Sequence, residues 1–91
     1  MGRFRKKPVE IQAWRINDLL IAGQVKWDDL PPEVADWYEA GGLIFGRDRL
    51  SVRTLEGVMD GGREDWLILG VEGEFYPCKG SVFAATYEAV A

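Results

Sequence analysis

Five cations and three aromatic side chains are the residues with chemistry to offer: Arg5, Lys6, Lys7, Arg53 and Lys79, with Trp14, Trp66 and Tyr76. Guanidinium and ammonium groups hold phosphates through charge-assisted hydrogen bonds, and aromatic rings stack on bases. Together they would equip a site for an anionic, nucleotide-type small molecule. Singly, such residues serve as solvated strand edges and core rings, so the set carries this expectation and no one member does. A domain of 91 residues rarely encloses a drug-sized cavity, which places such a site between the subunits of a homo-oligomer.

A catalytic set is harder to assemble. Histidine is absent, which removes the usual general base near neutral pH and with it any Ser-His-Asp or Cys-His arrangement. Cys78 reads as a small buried hydrophobe on a strand, although the adjacent Lys79 is of the type that lowers a thiol pKa. Asp60 with Glu64 or Asp65 is the remaining acid–base pair, in a glycine-rich stretch that turn chemistry explains equally well. Gly61-Gly62 lacks the spacing and the Lys-hydroxyl pair of a phosphate loop. The expectation is a non-enzyme with no catalytic residue, metal or cofactor.

Charge and composition narrow the class further. The net charge is −4, with Arg3, Arg5, Lys6 and Lys7 at the start and Asp28, Asp29, Glu33, Asp36 and Glu39 in the middle. An acidic chain does not neutralise the many phosphates that duplex binding requires, so no duplex nucleic acid is expected. A single cysteine excludes an internal disulfide and, without histidine, a zinc site; both suit a reducing, cytoplasmic setting. No apolar run approaches the roughly 18 residues of a membrane helix, and no apolar stretch follows the basic start as in a signal peptide. Hydrophobic residues at 47% and four Trp are ample for one modest core, hence a single domain over 1–91.

The elements that would position these groups follow from pattern. Val9-Glu10-Ile11-Gln12-Ala13 alternates with the period of a half-buried strand after Pro8. A short helix over 18–22, capped by Asn17 or Asp18 and closed by Gly23, follows. Pro31 and Pro32 open a second helix over 31–40, with Val34, Trp37 and Tyr38 on one face and Gly41-Gly42 as its stop. Strands over 43–45 and 50–55 flank a polar hairpin loop, Gly46-Arg47-Asp48-Arg49. Trp66-Leu67-Ile68-Leu69 is apolar throughout, as in a central strand covered on both faces. It turns at Glu72-Gly73 into a partner strand over 75–79, where Pro77 demands an edge or a bulge. Ser81 is placed to cap a last turn of helix with Val82 and Phe83, and 86–90 reads as an edge strand. The sum is a small α+β domain, a strongly curled antiparallel sheet or half-barrel of about five short strands with one or two short helices.

Thr54-Leu55-Glu56-Gly57, Met59, Asp65-Trp66 with Ile68, Gly70-Val71, Gly73-Glu74, Tyr76-Pro77-Cys78-Lys79, Phe83 and Thr86-Tyr87-Glu88 resemble a family of short uncharacterised proteins of bacteriophages and prophages. Arg5-Lys6-Lys7-Pro8 before a strand ending near Ala13-Trp14 is similar to the start of that family. The likeness covers both ends of the chain; the stretch 16–50 takes no part. The family usually carries proline where this chain has Gly80, and Pro-Gly where it has Arg63-Glu64, differences that bear on loops. The resemblance implies a phage-derived protein of the host cytosol and carries no activity to transfer.

Two functions are therefore expected to compete. One is sequestration of a phosphate-containing, nucleotide-type immune signal of the host in an intersubunit pocket. The other is a protein-interaction module, a host-protein inhibitor or a minor phage assembly component, with Trp27, Trp37 and Tyr38 as an aromatic hot spot ringed by carboxylates. At the hairpin, Gly73→Val is expected to cost about 1–2 kcal/mol, because a β-branched residue is strained at positive φ; chemical denaturation measures it.

Overall fold

The computed structural model describes residues 2–4 and 9–90 and has an α+β fold. The first sheet joins β1 (Gln12–Arg15), β5 (Trp66–Leu69) and β6 (Phe75–Cys78) in the order β1-β5-β6; the second joins β2 (Leu43–Phe45), β3 (Arg49–Thr54) and β4 (Gly57–Gly62) in chain order. Every pairing is antiparallel. Between β1 and β2 run α1 (Ile16–Val25), a 3-10 turn (Trp27–Asp29) and α2 (Pro32–Glu39), and α3 (Gly80–Thr86) follows β6.

The curled sheet or half-barrel is corrected to two small sheets of three strands each, neither closed nor strongly curled, meeting where β6 packs across β3 and β4. The sixth strand is β4, which reads as a glycine-rich loop in the sequence. Gly61 is buried there because a Cβ would collide with Ile16 and Pro77, so its missing side chain is what lets the sheets approach.

β5 is central in its sheet and Pro77 lies on the edge strand β6, where its missing N–H costs no ladder bond. Gly73 turns the β5–β6 hairpin at φ +84 and donates its N–H to the Gly70 carbonyl. α2 ends in a Schellman motif: Gly42 N–H bonds to the Trp37 carbonyl, Gly41 N–H to that of Tyr38, and Gly41 adopts φ +86.

Helix and strand boundaries differ from expectation for tertiary reasons, the first strand also starting later, at Gln12. α1 begins at Ile16 and is not capped by Asn17 or Asp18; Ile16 and Asn17 donate their N–H groups to the carbonyls of Asp65 and Arg63. It also runs through Gly23, which admits the Phe45 ring beside it. α3 begins at Gly80 with no cap from Ser81, because the Asp65 carboxylate accepts the Gly80 N–H at 3.1 Å. Residues 87–90 form no strand; the Tyr87 N–H closes the helix onto the Phe83 carbonyl and its ring packs on Phe83.

Ile16, Leu19 and Leu20 of α1 pack with Leu50, Val52 and Leu67 of the two sheets to make the core, and Val34 of α2 joins them. Burying each such side chain contributes about 1.5–3 kcal/mol. Ile68 faces the opposite way on β5 and is also fully buried. That second face carries Trp66, with α3 laid over it through Phe83.

Asp65→Ala is expected to destabilise the fold by about 2–3 kcal/mol, since two backbone N–H groups lose a charged acceptor. Gly80→Ala should cost about 1–3 kcal/mol, because its Cβ would press on the Glu64 carbonyl oxygen, a backbone atom that cannot step aside. Urea denaturation checks both, with the exposed Glu64→Ala as a near-neutral control.

Candidate functional site

The residues expected to hold an anion do not form one site among the described residues. Arg5, Lys6 and Lys7 lie outside those residues. Trp14 is half-buried on the core side of β1, stacked on Phe75 at 6.4 Å. Trp66 sits on the opposite face of its sheet, with Phe83 parallel to it at 4.2 Å and the Arg15 guanidinium 6.0 Å from its ring centre. One face of that indole is therefore closed to a base. Lys79 is exposed at the far end of β6, preceding α3. Trp14 and Trp66 border a hollow that Arg53, Tyr76 and Lys79 do not line, whereas Arg53 and Tyr76 share a different surface.

That surface is an open groove of about 610 Å³ between the β3–β4 turn and the β5–β6 loop. Trp37, Leu55, Met59 and Phe75 line it beside Tyr76, and Arg53 stands at its rim with Glu56 and Glu74. One cation against two carboxylates makes the groove apolar and slightly acidic, which disfavours a phosphate. Burial, and next the neighbouring Tyr87 hydroxyl, push the Tyr76 phenol up from 10.0 to about 12. It is a neutral hydrogen-bonding group, not a base.

The carboxylates and the thiol are occupied structurally. Asp60 accepts a hydrogen bond from the Ser51 hydroxyl at 2.6 Å and lies 3.6 Å from the Arg49 guanidinium. Asp65 accepts the N–H groups of Gly62 and Gly80. Neither is paired with the other for acid–base work. Burial, followed by the charge of Asp65, raises the Cys78 thiol pKa, the opposite of what an adjacent lysine would do. Among the described residues no cluster of carboxylates or cysteines is placed to hold a metal ion, and no helix is long and apolar enough to cross a membrane.

The helical layer holds a different constellation. Trp27, Tyr38 and Phe45 meet with centroids 4.9, 5.4 and 5.6 Å apart, steeply tilted or edge to face, the arrangement ring quadrupoles prefer. Trp27 remains 39% and Tyr38 41% exposed, so the cluster is a surface and not a core. Trp37 does not join it. One residue along a helix turns roughly 100°, and its ring lies instead over Gly42, parallel to Phe75 at 6.1 Å, with its indole N–H buried and unpaired. Phe45 was not legible as a member, because β2 meets the helical layer only in the folded chain. No protein-family model, curated protein or solved structure matches the chain.

The raised pKa fixes a direction for pH dependence. The fold favours neutral Tyr76, so its contribution to stability is complete below pH 10 and is lost as pH rises through about 12. Phenolate absorbance against pH should show one of the three tyrosines titrating late. Tyr76→Phe should delete that component, and Tyr87→Phe should move it to lower pH.

Proposed function

We propose that this chain is a non-catalytic binding protein that works by protein–protein contact, presenting the Trp27–Tyr38–Phe45 cluster to a basic segment of its partner. The observation that carries this reading is the separation of charge. Between residues 16 and 42 stand Asp18, Asp28, Asp29, Glu33, Asp36 and Glu39 against Lys26 alone, a net −5; the whole chain carries −4, so the rest is +1. All of the net negative charge belongs to the layer that carries the exposed aromatics. Aromatic anchors of this kind supply affinity, complementary charge steers encounter, and an arginine or lysine of the partner gains further from a ring face.

Sequestration of a nucleotide-type anion has the shared groove of Arg53 and Tyr76 in its favour, and the two rim carboxylates against it. Under the resemblance to phage proteins, the partner is a host protein or another phage component met in the cytoplasm. Self-association belongs to the same proposal, though not through residues 86–90, which form no strand.

Affinity capture from the producing cells, with mass spectrometry, tests the contact. A basic protein should be retained by the unmodified chain and released by salt. Trp27→Ala with Tyr38→Ala should weaken it by about 2 kcal/mol or more, as truncated hot spots do. Equal retention by both chains overturns the reading. Calorimetric titration with linear and cyclic nucleotides should be silent; heat that disappears in Arg53→Ala would restore the anion pocket.

A further inference from the structure

We propose that two copies of this chain join through β4, pairing antiparallel about a two-fold axis at Met59 so that the two β2-β3-β4 sheets become one of six strands. This deepens the self-association in the reading above and is independent of the aromatic face.

Hydrogen-bond parity sets the register. Arg53 donates its N–H to the Gly42 carbonyl and Gly46 donates to that of Arg49, so Arg49, Ser51 and Arg53 bond towards β2. Leu50, Val52 and Thr54 then bond towards β4, on Gly61, Met59 and Gly57. Val58, Asp60 and Gly62 therefore aim their backbone groups outward. Asp65 satisfies Gly62, its carboxylate accepting the N–H and its own N–H donating to the carbonyl. Val58 and Asp60 are left open, and each can bond to the other residue of a second copy. Met59 then faces Met59 of that copy at the non-hydrogen-bonded centre.

The other edges are poorer candidates. β6 is interrupted by Pro77, β2 has three residues and β1 has four, whereas β4 has six. β4 also lacks the lysine or proline that commonly blunts an edge. Along it Val58 is 64%, Met59 42% and the turn residue Leu55 100% exposed. The acidic helical stretch contributes nothing to this edge.

Charge favours the same register. Arg53 is opposite Val58, whose other neighbour would be Asp60 of the second copy. Arg53 has no ion-pair partner among the described residues. Two-fold symmetry makes this contact twice. Since Leu55 and Met59 also line the apolar groove, the second copy would extend that groove's wall.

Sedimentation of the full chain should show a dimer at micromolar concentration. Val58→Pro removes an N–H that the single copy does not use, and should weaken the dimer at least about tenfold while leaving circular dichroism unchanged. Met59→Cys should cross-link into a reducible dimer on mild oxidation, while Val58→Cys, facing Asp60 of the other copy, should not; the unmodified chain with Cys78 is the control. A monomer throughout, a dimer indifferent to Val58→Pro, or equal cross-linking at both positions overturns the proposal. Trp27→Ala with Tyr38→Ala should leave the dimer intact, which separates this test from that of the partner.

Discussion

A helix N-terminus presents N–H groups that need acceptors, and neither α1 nor α3 has a side-chain cap of its own. Both are answered by the turn between β4 and β5. The carbonyls of Asp65 and Arg63 take the N–H groups of Ile16 and Asn17, while the Asp65 carboxylate takes those of Gly62 and Gly80. The Arg63 guanidinium adds bonds to the Asn17 side chain, to Asp48 and to the Arg47 carbonyl, which ties the β2–β3 loop to the same point. Two helices and both sheets are thus fastened at one short turn. A satisfied network of this kind specifies one arrangement, because each group left unpaired would carry its own desolvation cost.

Fastening the chain there leaves two surfaces of opposite character. The helical layer carries the net negative charge and the exposed rings; the second sheet turns outward at β4 an edge where Val58 and Met59 are exposed beside Asp60. Like charge opposes two acidic layers meeting more than two β4 edges, each of which carries the single carboxylate Asp60. The proposed hetero-partner and the proposed second copy would thus occupy different faces. Trp37 belongs to neither face. Its ring closes the core beside Phe75 and over Gly42, and it lines the groove.

Much of the local structure was legible because it rests on neighbours in sequence. The continuous apolar run at Trp66-Leu67-Ile68-Leu69 meant a strand covered on both faces, and the core on one side with α3 on the other provides that cover. Pro77 required an edge, Gly73 a positive φ, and Gly41-Gly42 a helix stop; each is a property of the residue itself. β4 was not legible, since Gly-Val-Met-Asp-Gly-Gly has the composition of a loop and becomes a strand by pairing with β3 and by admitting Ile16 and Pro77 at Gly61. The helix starts differ from expectation for the same kind of reason, as their acceptors are not chain neighbours: they lie in the β4–β5 turn for α1 and 15 residues back for Gly80 of α3.

The sequence by itself determined an α+β domain, the places where the chain must turn, the want of a histidine-based catalytic set, and the acidic middle segment. Only the tertiary structure decided which side chains share a surface. Residue type sets what a cation or a ring can do, but convergence depends on which strand face it occupies and on how the sheets cross. Trp14 and Trp66 are two residues that sequence treats alike, and the pleat of two neighbouring strands sends one into the core and the other beneath α3. Trp37 and Tyr38 are adjacent in the chain, and the helical turn between them places one against Gly42 and the other on the exposed cluster with Phe45, a contact the fold had to create.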